Sequence, residues 1–255
     1  MSEIPALHLW GLHKRFGPKV AVAQLSLAIP AGSFFGIVGP NGAGKTTSLN
    51  MATGLLRPDA GTAYVHGVDV WAEPALAKPD LGVLPDGVRL FDRLTGLELV
   101  TYAGLLRGMP AERARAHAEQ LVDVLGLREA GATLVADYSA GMTKKAALAC
   151  ALVHAPRVLV LDEPFESVDP VSAAGIRAIL EDFVARGGTV VLSSHVMDLV
   201  QRLCTHVAVL AQGQVVAAGT IADVSAGEDL ETRFAQLVGA EPNQVELSWL
   251  RPSSG

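Results

Sequence analysis

Residues 39–46 read Gly-Pro-Asn-Gly-Ala-Gly-Lys-Thr, the spacing G-x-x-x-x-G-K-[ST] in which glycines let backbone N–H groups turn inward on a phosphate chain. The helix that such a loop opens adds the partial positive charge of its N-terminus. Lys45 is placed to reach the β and γ phosphates of a nucleoside triphosphate, and the Thr46 hydroxyl can ligate magnesium. A second locus is the apolar run VLVL that ends in Asp162 and Glu163. Adjacent acids there would complete a magnesium site, with Asp162 holding the metal through water. Glu163, one residue on, can orient or deprotonate the attacking water as a general base.

For these groups to meet, the loop must lie between a strand and a helix, and the acids must end a neighbouring strand. The chain patterning supplies that arrangement. FFGIVG reads as a strand running into the loop, and SLNMATGLL as a helix that continues until Arg57-Pro58 stops it. LHLWGL and AVAQLSLAIP alternate as two earlier strands, GTAYVHGVDV reads as a hairpin, and LGVLP as a further strand. From Asp86 to Pro156 alanine, leucine and charged residues recur at helical period. Strand signals return at VLVLDE, TVVLSS, HVAVLA and QVVAAG, with a helix, PVSAAGIRAILEDFVARG, between the first two. The acidic helix-like segment EDLETRFAQLVG leads to a tail, RPSSG, read as frayed. The expected fold is α/β, with a mostly parallel core sheet, an N-terminal antiparallel β subdomain and an inserted α-helical subdomain.

Composition narrows the function classes. At 255 residues and 50% hydrophobic the chain can bury a large core without staples, and its two cysteines suit a reducing compartment. The mean hydropathy of +0.34 fits strands buried on both faces, because the apolar runs are too short to span a membrane. The start, MSEIPALHLW, lacks the basic and apolar regions of a secretory signal. A formal net charge of −6 provides no general basic field, so nucleic acid is not an expected partner.

Tyr138 to Met142, about twenty residues before Asp162, reads YSAGM and resembles the LSGGQ signature of ABC ATPases. Ser139 reads as an N-cap and Gly141 as an open backbone amide, which makes this helix start a second anion site. The resemblance implies a P-loop NTPase fold with one ABC ATPase domain over residues 1–222. Within it, 1–85 and 157–222 form the nucleotide-binding core and 86–156 the helical signature subdomain; 223–255 form a C-terminal helix and tail. It implies that Gly39, Pro40, Asn41, Gly42, Ala43, Gly44, Lys45, Thr46 and Thr47 bind ATP, with Phe16 stacked on adenine. Ser139, Ala140, Gly141 and Met142 would face the γ-phosphate of ATP held by the opposite subunit. Asp169, in ESVDP, is similar to the D-loop aspartate at the dimer interface, and His195, in VVLSSH, to the switch histidine on the γ-phosphate.

Asp86, in LGVLPD, stands where the family has a glutamine that contacts magnesium and water and links the nucleotide to the membrane subunit. A carboxylate can meet a hard cation, but when ionised it cannot donate a hydrogen bond as an amide does. Metal binding is expected to survive with an altered rate or coupling. The resemblance further implies ATP and Mg2+ as ligands, a homodimer or paired ATPase subunit, an integral membrane transporter subunit, and a place on the cytoplasmic face of the cell membrane. LETRFAQLVG looks like the ending of multidrug-type exporter subunits, which favours efflux over import. The alternatives are a soluble ABC ATPase of assembly or repair, and a slowly hydrolysing regulatory module.

Overall fold

The computed structural model describes residues 4–239; the tail RPSSG lies outside the described residues. In chain order, strands β1 (Leu7–Phe16) and β2 (Lys19–Ile29) precede β3 (Phe34–Val38) and helix α1 (Lys45–Ala52). Next come β4 (Ala60–Val65), β5 (Val68–Asp69), the short α2 (Pro74–Ala77) and β6 (Leu81–Leu84). Helices α3 (Gly96–Leu106), α4 (Ala111–Val124) and α5 (Ala140–Leu152) follow, then β7 (Val158–Leu161) and α6 (Pro170–Ala185). The described chain ends with β8 (Thr189–Ser194), α7 (Met197–Leu203), β9 (His206–Ala211), β10 (Gln214–Thr220), α8 (Ile221–Ser225) and α9 (Leu230–Val238).

Two sheets result, with orders β2-β1-β4-β5 and β10-β9-β3-β8-β7-β6. The first is antiparallel. In the second, β9, β3, β8, β7 and β6 run parallel and only the edge strand β10 is antiparallel. Every residue of β3, β7 and β8 is buried, because both faces of this sheet are covered. Phe35, Ile37, Val160 and Val191 pack with α1 and the antiparallel sheet. Their neighbours Phe34, Val38, Leu161 and Leu192 face the layer of helices that includes α3 to α7. The alternation is the period-two pleat, and each fully buried Val or Leu contributes about 1.5–3 kcal/mol.

Parallel pairing has the consequence that matters for chemistry. The carboxyl ends of β3, β7 and β8 lie at one edge of the sheet, where the glycine loop, the acidic pair and His195 all leave it. The helical insert is anchored at its start by a reciprocal cap. Thr95 Oγ1 accepts from the Glu98 amide at 3.3 Å while Glu98 accepts from the Thr95 amide at 2.9 Å.

Four elements differ from the sequence reading, the four-residue α2 among them. Helix α1 stops at Ala52, four residues before Leu56. Gly54 takes φ 79° there, and the amides of Leu55 and Leu56 both turn back to the Asn50 carbonyl, at 2.9 and 3.0 Å. Helices α7 and α8, seven and five residues long, form where no helix was expected. Both cysteines are free, and burial pushes each thiol up to about 12, so they act as small apolar residues. No helix of the described residues is long and apolar enough to cross a membrane.

Candidate functional site

The loop from Gly39 to Gly44 leaves the buried end of β3 and opens α1. Gly44, at the N-cap, has φ 101°, and a Cβ there would lie 2.6 Å from the Ala21 carbonyl, so the position both needs left-handed backbone and leaves no room for a side chain. No side chain caps α1. Its first amides are therefore free of internal acceptors at the point where an anion would sit. Lys45, 8% exposed, curls back so that Nζ donates to the Gly39 carbonyl at 2.6 Å and reaches the Pro40 carbonyl at 3.4 Å. An ammonium has three donors, so one remains for a further acceptor.

Asp162 extends the buried β7, with 2% exposure and its amide on the Leu84 carbonyl at 2.8 Å. Its Oδ1 accepts from the Ser193 hydroxyl, whereas the buried Oδ2 has no partner among the described residues. An unpartnered carboxylate oxygen in the interior is costly unless a cation or water meets it. Among the described residues no group of three His, Cys, Asp or Glu side chains forms a metal cage. The donor set fits magnesium instead, which binds through one or two carboxylates, water and substrate phosphates.

Ser193 is a residue the sequence reading missed. Its hydroxyl donates to Asp162 and accepts from the Glu163 amide at 2.9 Å, so one side chain fixes both acids. The parallel register pairing Leu161 with Leu192 is the signal that could have found it, since Asp162 and Ser193 are the next residues of each strand. Glu163 has φ 47°. Its Oε2 lies 3.0 Å from His195 Nδ1, with side-chain exposures of 16% for Glu163 and 52% for His195. The mostly buried carboxylate is thereby aimed by a more exposed imidazole.

A cleft of about 450 Å³ gathers Lys45, Glu163 and His195, whereas Gly39, Pro40, Asp162 and Ser193 lie outside its lining. Phe16, half exposed at the end of β1, Lys19, residues 41–47, Asp86, Glu163, Glu166 and His195 line it. Asp86 Oδ1 accepts from the Gly87 amide at 2.7 Å. Lys19 and Glu166 are further lining residues that sequence reasoning did not single out.

None of Ser139, Ala140, Gly141, Met142 or Asp169 lines that cleft. Ser139 caps α5, accepting from the Met142 amide at 3.2 Å, and with Ala140 is exposed. Gly141 is buried rather than open. A Cβ on it would lie 3.0 Å from Asp169 Oδ2 and 3.2 Å from Ser172 Oγ, so its size serves the close packing of α5 on the start of α6. Asp169 is the N-cap of α6, with Oδ1 accepting from the Val171 and Ser172 amides at 3.0 and 2.9 Å. The Ser172 amide and hydroxyl hold its carboxyl below the usual range.

A phosphate-cradling loop, a buried acid with a spare oxygen and a second acid aimed by histidine, set at one edge of a parallel sheet, define a nucleoside-triphosphate hydrolase. The chain belongs to the ABC transporter family, whose sequence model matches residues 22–166, and is an ABC-type ATPase. It is 38% identical over 219 residues to the daunorubicin/doxorubicin resistance ATP-binding protein of Streptomyces peucetius, covering 86% of this chain and 66% of that one. It is 33% identical over 249 residues to Nod factor export ATP-binding protein I of Mesorhizobium japonicum, covering 98% and 73%. The chain thus spans about two thirds to three quarters of these relatives. A dimeric ATP-binding cassette in a post-hydrolysis state bound to ADP and Pi is similar with a TM-score of 0.77 at 25% identity, covering 84% of this chain and 98% of that one.

Proposed function

We propose that the protein is the ATP-hydrolysing subunit of an exporter, working as a head-to-tail pair on a separate integral membrane subunit at the cytoplasmic face. The observation that carries this reading is the division of the site. The glycine loop, Glu163 and His195 share one cleft while Ser139 and Ala140 of the same chain are exposed outside it. ATP then lies between the loop of one protomer and the signature of its partner, with Phe16 against the adenine and Asp169 near the interface. The domain boundaries at residues 86 and 157 follow the same reading. The two relatives' names carry drug resistance and export, which supports efflux over a role in assembly or repair.

Lys45 and the loop amides hold the triphosphate, Glu163 takes a proton from the attacking water, and His195 holds the Glu163 carboxylate in line. Thr46 and Asp162, with Asp86 beside them, would hold Mg2+, which when bound neutralises charge on the β and γ phosphates. Coupling to the membrane subunit would use a second groove. A groove of about 1000 Å³ is lined by Leu55, Leu81, Val83, Pro85, Leu106 and Met109, and Leu55 and Leu106 are 58% and 65% exposed. Exposed leucines beside Lys78, Arg107 and Arg113 in one groove suit a protein partner. Pro85 lines this groove and Asp86 the ATP cleft, so one peptide bond joins the two.

A complementation assay tests the pairing. Lys45→Ala and Ser139→Arg chains should each be inactive alone, but mixing them should restore up to about a quarter of wild-type turnover, because one site of each mixed dimer has two intact halves. No gain on mixing would sink the head-to-tail arrangement. Asp86 sets the rate within it. Replacing a carboxylate near the metal by a neutral amide in Asp86→Gln weakens the attraction by roughly 1 kcal/mol, so the magnesium concentration for half-maximal turnover should rise about fivefold. If turnover and magnesium dependence are unchanged, Asp86 has no part in the chemistry.

A further inference from the structure

Glu163 sits in left-handed backbone, φ 47°, which a residue with a side chain adopts only when its surroundings hold it there. Three groups do so. Ser193 takes its amide at 2.9 Å and His195 its carboxylate at 3.0 Å, and both come from the end of β8. The third is Lys144, whose Nζ donates to the Glu163 carbonyl at 2.9 Å from across the fold. Lys144 belongs to α5, the helix capped by Ser139. Its partly buried ammonium borders a hollow of about 280 Å³ shared with Asp86 and Glu166, yet its hydrogen bond goes to the backbone of the base.

We propose that Lys144 is a positioning residue that ties the chain's own signature helix to its own catalytic carboxylate. The inference rests on Glu163 being the base. In the first turn of α5, Thr143 Oγ1 donates to the Ser139 carbonyl at 3.0 Å. A shift of that helix, whose exposed start faces the partner's nucleotide in the pair proposed above, therefore pulls on the Glu163 peptide through one charged donor. The two composite sites of a dimer are linked by this bond: occupancy at one signature sets the aim of the base in the other site. A long-stemmed ammonium suits the task, since it crosses between α5 and the turn after β7 and bonds a carbonyl more strongly than a neutral donor does.

The test compares Lys144→Met, which keeps the stem and removes the donors, with Lys144→Arg, which keeps a charged donor. In steady-state ATP hydrolysis by the full chain, Lys144→Met should lower kcat at least about tenfold with KM for Mg·ATP within about twofold, as expected when a base is misaimed while binding is intact. Lys144→Arg should recover most of the lost kcat, and the Hill coefficient for ATP should fall toward 1 in Lys144→Met. Unchanged kcat in Lys144→Met, an equal loss in both variants, or a KM that rises in proportion overturns the proposal. If thermal unfolding shows Lys144→Met to be destabilised, Lys144→Leu, which also lacks a donor, carries the same comparison. Normal hydrolysis by Glu163→Gln would overturn the base assignment and this proposal together, whereas an inactive Glu163→Gln beside a normal Lys144→Met would overturn this proposal alone.

Discussion

Glu163→Gln is expected to lower ATP turnover by about 10²–10⁴-fold, the contribution of a general base, while ATP affinity holds or improves. The side chain keeps its shape and its oxygen, so the contact with His195 at 3.0 Å can persist. The Ser193 bond to the backbone amide is untouched, and the left-handed backbone costs the same for Gln as for Glu. The loss is therefore chemical: an amide cannot accept the proton from water. Binding follows a different term. The cleft holds Asp86, Glu163 and Glu166, and removing one negative charge near a triphosphate weakens repulsion, so the loaded pair should persist as a closed dimer. Rapid-quench turnover beside size-exclusion chromatography with ATP reads both effects. Turnover near the wild-type rate would show that another group activates the water.

The ends of the parallel strands were the legible part. FFGIVG, VLVLDE and TVVLSSH announce themselves as mostly apolar runs that end in glycine, acid, or serines and a histidine, and burial on both faces is the physical reason. What remained hidden depends on contacts between distant segments. Ser193 is an unremarkable serine until the β7–β8 register sets it beside Asp162. Gly141 looks like an open amide in the string YSAGM, and only the packing of α5 against Asp169 and Ser172 reveals it as a spacer. Lys144 is one of two adjacent lysines, and nothing local distinguishes the one that reaches the Glu163 carbonyl. Helix α7 escaped because seven residues give too few turns for periodicity to emerge, and α1 was read too long because Gly54 turns the chain within an apolar run. Local pattern thus singled out Lys45, Asp162, Glu163 and His195, while tertiary packing decided how each is held.

Lys45→Ala should weaken ATP binding at least about a hundredfold, and two effects add in the same direction. The first is direct: a phosphate loses a charge-assisted hydrogen bond, worth about 1.5–3 kcal/mol, with tenfold in affinity for each 1.4 kcal/mol. The second acts through the loop. Nζ holds the Gly39 carbonyl at 2.6 Å and reaches that of Pro40 at 3.4 Å, so the ammonium is also the clasp that closes the glycine turn beneath the phosphates. Without it the loop amides lose preorganisation as well as a neighbouring positive charge. Stability should change little, because Leu49, Met51 and Ala52 keep α1 in the core and alanine is the stronger helix former. Equilibrium titration with ATP, alongside a thermal melt, separates the two contributions when Lys45→Arg is included. A guanidinium retains the charge but not the compact ammonium that fits under the loop, so Lys45→Arg should bind more tightly than Lys45→Ala and still fall well short of wild type. Equal affinity in Lys45→Arg and wild type would reduce the role of Lys45 to charge alone. Unchanged affinity in Lys45→Ala would mean that the backbone amides and the start of α1 hold the phosphates without it.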